Sequence, residues 1–383
     1  MTDRENFFET VRFGRPERVM QRIPAYGLGY LGVNHQGYGD AGMDDAHDRP
    51  VGSVWKDIWG TGWHKEYPDV MGFPKEYPLA DMSNLKGYKW PDPDDERLVG
   101  RIYEGRRAFG RGNEPDSAVN SAANCRSQDD GAAGVRCDMP NVKPSAETIR
   151  GAPDENSAAA ALRGAPEDKI ISGAHRDTLW EKSYMLVGME NIMTYFYTEP
   201  EYAREILRRI MDFQLGIAKH YVAAGIELAG LGDDLGTQRS LLLSPEIVDG
   251  FLVPEYRRLF DFYKSRGVLV NFHSCGHVEP LLETFIDLGV NILNPVQVTA
   301  NSLVNIIGVT RGRMALAGGI STKLIMEGTP QEIRETVKNT IRLLGADGGY
   351  FCDADQGMPF PPENAAALAS AVAEFGSYPP PRQ

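Results

Sequence analysis

An eightfold (β/α)8 TIM barrel is the fold class that the sequence predicts, on three observations. The chain has 383 residues and 42% hydrophobic content, enough to bury the core of one barrel-sized domain. From residue 168 onward, strand and helix patterns alternate with short glycine-containing links, which is typical of parallel strands joined by right-handed crossovers. Polar residues follow the end of each predicted strand. A barrel gathers such ends on one face, whereas an open sheet leaves several of them too far apart.

The N-terminal part is predicted to decorate this barrel. Residues 15–27 run from a charged segment into an apolar piece that ends in glycine, which predicts the first strand. Residues 30–48 are rich in Gly, Asn, His and Asp, so we expect a surface loop there. His35 and His47 lie in this loop and are interpreted as solvated.

Three tryptophans lie within ten positions of the next segment, at Trp55, Trp59 and Trp63. Alternation of aromatic and polar residues in this segment predicts a strand of a hairpin whose aromatic face covers another part of the molecule. Two interpretations stay open. The segment is either a lid packed on the core or an apolar wall for a planar ligand.

A low-complexity insertion is predicted at about residues 112–167. Ala, Ser, Asn, Asp, Gly and Pro dominate it, and such a composition buries too little apolar surface to offset the entropy of ordering. Cys125 and Cys137 lie inside it at a spacing that matches no compact zinc motif. We therefore expect one barrel domain over residues 1–383, with this insertion as a loop or a subunit-contacting arm.

The elements of the barrel follow in order along the chain. Apolar runs that end in small or polar residues predict strands, and apolar spacings of three or four predict helices. The predicted strands are 168–175, 225–234, 268–273, 290–294, 314–319 and 349–353. The predicted helices are 200–224, 244–265 with a break near Pro254, 278–288, 329–344 and 362–375.

The stretch 268–277 ends an apolar run in groups that bind metal or move protons. His273 and Cys275 are two residues apart at a strand end, so both side chains point to one side and reach one ion through bonds of about 2.0 to 2.3 Å to zinc. Cys352 ends the last predicted strand and faces the same mouth in a closed barrel. One imidazole and two thiolates leave a fourth tetrahedral position open, as in catalytic zinc sites. The alternative for Cys352 is an inert, buried strand cysteine.

Other strand ends supply acids and amides. Asp233 and Asp234 form one pair, in which we expect one functional carboxylate and one structural carboxylate, with amide and guanidinium groups close by along the chain. The further candidates beside the barrel mouth are Gln238, Arg239, Asn294 and Gln297 for binding and Asp353 for catalysis.

The charge of the chain excludes some classes of partner. Asp and Glu number 53 against 40 Lys and Arg, and the formal charge of −13 repels nucleic acid and anionic membranes. The chain has no apolar run of about 20 residues and starts without a signal-peptide pattern. We therefore expect a cytoplasmic protein with a small-molecule or protein partner.

The chain resembles the uroporphyrinogen decarboxylase superfamily, and within it the corrinoid-dependent methyltransferase branch. The resemblance covers most of the chain outside the insertion, and it implies a barrel. It rests on Asp57-Ile-Trp-Gly60, Pro78-Leu-Ala-Asp81, Gly188-Met-Glu-Asn191, Gly232-Asp-Asp-Leu-Gly-Thr-Gln-Arg239, Phe272-His-Ser-Cys-Gly276, Leu293-Asn-Pro-Val-Gln297 and Pro361-Pro-Glu-Asn364.

The resemblance also bears on the site. The decarboxylase branch binds propionates through an Arg-Gln-Ala-Gly-Arg-Tyr signature, and the corresponding residues 23–30 lack those basic groups. The thiol-methylating branch has His-x-Cys followed far downstream by Cys, which implies zinc on His273, Cys275 and Cys352. Its second cysteine lies closer to the terminal Pro-x-Glu-Asn segment, at a place nearer to Gln356 here. A corrinoid (cobalamin) capping the barrel mouth would meet the aromatic surface that includes Trp59.

Three functions follow as hypotheses. The first is a cobamide-dependent methyltransferase, as in a demethylation system, in which zinc or an acid such as Asp234 activates a small molecule and a partner protein carries the corrinoid. The second is a tetrapyrrole decarboxylase, in which Asp81 or Asp234 stabilises pyrrole protonation. The third is a non-catalytic barrel that acts as a binding or assembly partner. Because dimers are common in the family that the chain resembles, the resemblance implies a homodimer.

Overall fold

The structure is a computed structural model that describes residues 1–40, 49–68, 70–110 and 168–378. The predicted insertion, Cys125, Cys137 and His47 lie outside these residues. The strands are β1 (Ala25–Leu28), β2 (Val54–Lys56), β3 (Gly62–His64), β4 (Phe73–Glu76), β5 (Ile170–Ala174), β6 (Leu228–Gly232), β7 (Leu269–His273), β8 (Ile292–Val296), β9 (Ala315–Ile320) and β10 (Tyr350–Ala354). The helices are α1 (Asp3–Val11), α2 (Glu96–Gly110), α3 (Trp180–Val187), α4 (Met189–Thr198), α5 (Pro200–Ala223), α6 (Val253–Lys264), α7 (Leu282–Leu288), α8 (Leu303–Thr310), α9 (Thr322–Glu327), α10 (Pro330–Leu344) and α11 (Pro362–Phe375).

Seven parallel strands form the main sheet of the described ranges, in the order β1-β5-β6-β7-β8-β9-β10. The chain just before β1 also reaches the opposite edge, since Met20 bridges Phe351 and its carbonyl accepts from the Cys352 amide at 2.9 Å. The predicted α/β class with a curled parallel sheet is thus confirmed. Complete closure into an eight-stranded barrel stays a prediction.

The two faces of this sheet bury different cores, because successive side chains of a strand point to opposite faces. On the inner face, Phe7 and Val11 of α1 pack against the first residues of several strands, such as Ile170 and Leu228. Helix α1 therefore covers the amino-terminal end of the sheet. The outer face belongs to a larger core shared with the helices, which includes Phe272, Leu316 and Cys352.

The N-terminal segment forms a separate antiparallel sheet, β2-β3-β4, which confirms the predicted hairpin. The strand ends at Lys56, earlier than the tryptophan spacing predicts, because Asp57 turns the chain. One oxygen of its carboxylate accepts from the amides of Trp59 and Thr61 at 2.9 and 3.0 Å. The other accepts from the Trp63 indole at 3.0 Å. This hydrogen-bonded turn replaces the predicted continuous strand.

Most predicted barrel elements are confirmed within a few residues, including α5, α10 and α11. The expected break near Pro254 is a π turn at Val248–Leu252, directly before α6. The short helices α3, α4, α8 and α9 were not predicted. No helix among the described residues is long and apolar enough to cross a membrane.

Candidate functional site

Three potential metal ligands converge where β6 and β7 end. The Nε2 atom of His273 lies 3.2 Å from the Sγ atom of Cys275 and 3.6 Å from the Oδ1 atom of Asp234. All three ligand atoms lie within 4.8 Å of one another. The Cys275 amide also donates to Asp234 Oδ1 at 2.9 Å, which ties the two loops together. The sequence thus places an imidazole, a thiol and a carboxylate at one strand-end cluster.

Two glycines let these loops cross closely enough to form the cluster. Gly276 has a φ of +82°, and a Cβ there would lie 2.3 Å from the backbone carbon of Gly236. A Cβ on Gly236 would lie 2.6 Å from the backbone nitrogen of His277. Any side chain at either position would push the loops apart, because such separations are far inside van der Waals contact. The glycines therefore help to set the distance between Asp234 and Cys275.

A chain of amides orients His273. The Asn294 Nδ2 group donates to Asn271 Oδ1 at 2.6 Å, which turns the Asn294 oxygen toward the imidazole. That oxygen lies 2.9 Å from His273 Nδ1. Since the oxygen only accepts, Nδ1 carries the proton and the lone pair of Nε2 faces the cluster. Asn294 thus positions a candidate metal ligand, and its predicted role in ligand binding stays a prediction.

Two glutamines hold the cysteine loop. Gln356 Nε2 donates to Cys275 Sγ at 2.8 Å, so Gln356 lies beside the cluster, as its position relative to the family motif implies. Gln297 is buried, and its Oε1 atom accepts from the Gly276 amide at 2.8 Å. Gln297 therefore fixes the turn that follows Cys275.

Burial and negative charge dominate the electrostatics of the site. Burial, and then the charge of Asp234, raises the pKa of the Cys275 thiol well above its usual value. Glu181 lies among the same acids, and burial followed by the charges of Asp177 and Asp234 raises its pKa as well. A cation at the cluster would relieve both effects, because it favours the charged forms of the thiol and the carboxylates.

Cys352, the predicted third ligand, does not belong to the cluster. Its side chain is fully buried in the core between the sheet and the helices. Phe351, the residue before it, packs on the inner face, and Asp353, the residue after it, lines the inner cavity. The alternation of a strand therefore turns Cys352 outward. Asp234, and not Cys352, is the third potential ligand beside His273 and Cys275. The position of Cys352 fits the interpretation of an inert, buried cysteine.

Asp233 and Asp234 point in different directions, Asp233 into a buried hydrogen-bond network and Asp234 toward His273. Asp233 is fully buried and accepts from the amides of Leu179 and Glu181 and from the Tyr256 hydroxyl, at 2.8, 2.8 and 2.6 Å. These bonds anchor the start of α3 to the end of β6. Burial raises the pKa of Asp233 to about 7, although the hydrogen bonds favour its charged form.

Several other predicted residues lie away from the cluster. Trp59 is 1% exposed and packs edge-on against Phe213. With Trp55 and Trp63 also buried, the lid interpretation describes this segment, and Trp59 offers no open face to a planar ligand. Asp81 is exposed and caps a 3-10 helix by accepting from the Ser83 amide at 2.8 Å.

Gln238 and Arg239 are exposed on the loop after β6. Gln238 accepts a long hydrogen bond of 3.3 Å from the Thr299 hydroxyl. These side chains therefore lie on the rim, while Asp234 on the same loop faces the cluster.

The prediction that His35 is solvated is wrong. His35 is 1% exposed, its Nε2 atom lies 2.5 Å from the Asp177 carboxylate, and its ring stacks on Trp63 at 4.1 Å. Burial lowers the pKa of His35, while Asp177 opposes that shift. The pair joins the N-terminal decoration to the loop after β5.

A cavity of about 140 Å³ opens beside the cluster, on the inner face of the sheet. His273 and Gln356 line one part of it, and Arg22 and Asp353 line another. Asp353, predicted as catalytic, is thus a cavity residue but not a member of the metal cluster. The remaining lining residues are Gln21, Ile23, Asn271, Asn294, Pro295, Ala317, Gly318, Phe351, Ala354, Asp355, Gly357 and Phe360.

Asn271, Arg22 and Glu181 were missed by sequence reasoning. The sequence could have indicated Asn271, because this residue precedes His273 by two positions in one strand and its side chain therefore points to the same face. Arg22 lies before β1 and Glu181 at the start of α3, where no strand pattern points to the cavity.

The ligand atoms fit zinc. Bonds of about 2.0 to 2.3 Å at tetrahedral angles place ligand atoms about 3.3 to 3.8 Å apart. The separations of 3.2 and 3.6 Å from His273 Nε2 are close to that range. The oxygen, nitrogen and sulfur donors together leave one tetrahedral position for a substrate.

The model of the uroporphyrinogen decarboxylase (URO-D) family matches residues 180–375, slightly more than half of the chain. The chain belongs to this family. The match includes the Asp234, His273 and Cys275 cluster together with the strands that carry it.

Two methyltransferases of Methanosarcina mazei are similar to this family member. A methylated-thiol--coenzyme M methyltransferase is 27% identical over 191 residues, which are 49% of this chain and 49% of the relative. The match therefore spans about half the length of that relative. The solved structure of a methyltransferase from the same organism aligns with a TM-score of 0.53 at 18% identity, over 98% of this chain and 99% of that chain, and supports the fold alone. The predicted resemblance to the family and its methyltransferase branch is confirmed.

Proposed function

We propose that this protein is a methyltransferase that exchanges a methyl group between a small molecule and a corrinoid. The observation that carries the proposal is the convergence of Asp234, His273 and Cys275 beside a cavity, in a member of a family with methyltransferase relatives. Asp234, His273 and Cys275 would hold zinc. Bound zinc would supply Lewis acidity, which lowers the pKa of a substrate thiol or hydroxyl.

The residues of the chain prepare that site. Asn294 keeps the lone pair of His273 Nε2 turned toward the cluster. The Cys275 amide holds one Asp234 oxygen, and Gln356 donates to the thiol. Such outer contacts reduce the reorganisation needed when a ligand binds, because the ligand atoms already face one point. Glu181, with its raised pKa, can hold a proton near the cluster.

The corrinoid rests on the family resemblance, and we propose that a partner protein carries it. The open side of the cavity would receive the substrate at the carboxyl ends of the strands, where barrel enzymes bind their ligands. Bound corrinoid would supply the carrier of the methyl group there. We extend the proposal to a single closed barrel that works as a homodimer in the cytoplasm.

Metal analysis and a methyl-transfer assay test the proposal. We expect one zinc per chain in the wild-type protein and its loss in Cys275→Ala and His273→Ala. We also expect zinc-loaded protein to convert methylcobalamin to cob(I)alamin with a small thiol, followed by the change in the corrinoid spectrum under anaerobic conditions.

The alternatives give different outcomes. Release of carbon dioxide from uroporphyrinogen, without a change in the methylcobalamin spectrum, would support the decarboxylase. Inactivity in both assays, together with zinc-free protein, would favour the non-catalytic barrel.

A further inference from the structure

The cavity contains a carboxylate, Asp353, whose nearest counter-ion lies beyond hydrogen-bond distance. Asp353 Oδ1 accepts from the Ala354 amide at 2.9 Å and from Gln21 at 3.2 Å. Asp353 Oδ2 has its nearest cation, the Arg22 Nε atom, at 3.6 Å, beyond hydrogen-bond distance. The Asp353 side chain is 28% exposed, and burial raises its pKa. One oxygen of a largely desolvated carboxylate is thus available to a donor.

The guanidinium of Arg22 shares this long ion pair and has donors left for a ligand. Among the described residues, Arg22 makes no hydrogen bond, and its ion pair with Asp353 is the long one at 3.6 Å. Its side chain is 46% exposed and lines the cavity. The guanidinium has a planar fork of donors that matches a carboxylate or a similar anion. The cavity therefore presents an acceptor for a cation beside a donor for an anion.

The size of the cavity limits what binds there. A cavity of about 150 Å³ holds a molecule of benzene size, with about six heavy atoms. The volume here is about 140 Å³, and the cavity is open to solvent on one side, so a ligand of six to ten heavy atoms is about the right size. His273 of the cluster lines the same cavity, so a ligand that fills the cavity contacts one residue of the cluster.

We propose that the substrate bound in this cavity is a small zwitterionic thiol, whose ammonium group pairs with Asp353 and whose anionic group pairs with Arg22. This inference rests on the proposed function for the role of the thiol end, which points to the cluster of Asp234, His273 and Cys275. The charges of Asp353 and Arg22 select the other end of the substrate, which carries the ammonium and anionic groups. The amides of Gln21 and Asn271 supply further hydrogen-bonding groups around it.

Calorimetric titration of the zinc-loaded full chain with a panel of thiols tests the proposal. The panel contains homocysteine and cysteine as zwitterions, cysteamine as a cation, 3-mercaptopropionate as an anion and 2-mercaptoethanol as a neutral thiol. We expect the better zwitterion to bind at least about tenfold more tightly than cysteamine, 3-mercaptopropionate or 2-mercaptoethanol. Equal affinities across the panel, or tighter binding of the purely anionic thiol, would overturn the proposal, and neither result depends on a variant.

Two variants assign the charges. Asp353→Asn should remove the advantage of the zwitterion over 3-mercaptopropionate, and Arg22→Gln should remove its advantage over cysteamine. Matched controls are Asp347→Asn and Arg311→Gln, which remove an exposed ion pair of 2.9 Å away from the cavity and should leave the ranking unchanged. A ranking that survives both cavity substitutions in folded protein would contradict the assignment.

The outcome separates this inference from the proposed function. If the zwitterion preference and its dependence on Arg22 and Asp353 hold while no thiol demethylates methylcobalamin, the inference stands and the methyltransferase proposal fails. If all thiols demethylate methylcobalamin equally well, the methyltransferase proposal stands and the inference fails.

Discussion

The inner and outer faces of the parallel sheet use cysteine in different ways. Cys275 follows the end of β7 on the inner side, within 3.2 Å of His273 and beside a cavity. Cys352 lies in β10 and points outward into the core shared with the helices. Burial raises the pKa of Cys352 to about 12, and it raises that of Cys275 as well. What separates the two thiols is the presence of an imidazole and a carboxylate beside Cys275.

The same contrast holds for neighbouring carboxylates. Asp233 turns back to receive the amides that begin α3, while Asp234 turns toward His273. Adjacent residues at a strand end thus face a buried hydrogen-bond network and the proposed metal site separately. The direction in which a side chain leaves the strand decides its role, more than its position at the strand end does.

The largest expected effect separates the two cysteines. Cys275→Ala should weaken zinc binding by about a thousandfold, because it removes one of three protein ligands from a total binding energy of about 10 to 16 kcal/mol. Cys352→Ala should leave zinc affinity unchanged and lower the free energy of unfolding by about 1 to 2 kcal/mol through the small cavity it leaves. Competition with a chromophoric chelator and denaturant unfolding measure the two quantities. Equal loss of zinc in both variants would erase the distinction.

The paired aspartates give the next largest effect. Asp234→Asn should weaken zinc binding by about a hundredfold and change stability little, because the residue is partly exposed. Asp233→Asn should keep the metal and lower the free energy of unfolding by about 1 to 3 kcal/mol, since its amide would face buried donors.

The same chelator competition and denaturant unfolding, run on both proteins, check these changes. The two variants change adjacent aspartates in the same way. Weaker zinc binding in Asp233→Asn, with unchanged zinc binding in Asp234→Asn, would make Asp233 the ligand.

The amide chain behind His273 should have a smaller effect. Asn294→Leu removes the acceptor of the Nδ1 proton and should weaken zinc binding by about ten- to hundredfold. Leu is chosen because it keeps a similar volume while it lacks the acceptor. A Leu substitution of the same kind at Gln238, on the rim, is the control and should have no effect. Unchanged affinity in Asn294→Leu would show that the tautomer is fixed without this contact.

The pH dependence of metal binding should be the smallest of these effects for each pH unit. The folded, metal-free protein keeps Cys275 protonated at neutral pH, because its pKa is raised. Zinc binding must therefore release that proton, and apparent affinity should rise about tenfold per pH unit between about pH 7 and 9.

Chelator competition across that range measures the slope. In Cys275→Ala the slope should be lost, whereas a flat profile in the wild-type protein would mean that the thiol is not a ligand.

Sequence reasoning predicted the parallel α/β architecture because strand and helix periods are local signals, and it found His273, Cys275 and Asp234 because they end strands. It placed the Cys352 side chain on the wrong face of the sheet, because the sequence does not show which alternate residues of β10 point to the inner core. Phe351 packs on the inner face, so Cys352 points outward. It left the burial of Trp59 open and missed that of His35, since contacts with Phe213 and Asp177 join segments far apart in the chain. It missed Arg22 because the pairing of Met20 with Phe351 brings that segment to β10.

The number of sulfur ligands on the bound zinc tests most directly whether Asp234, and not Cys352, completes the site with His273 and Cys275. X-ray absorption spectroscopy at the zinc edge of the loaded wild-type protein counts them. We expect one sulfur at about 2.3 Å with nitrogen and oxygen donors at about 2.0 to 2.2 Å, and the sulfur signal should be lost in Cys275→Ala. Two sulfur ligands in the wild-type protein, falling to one in Cys352→Ala, would contradict this expectation.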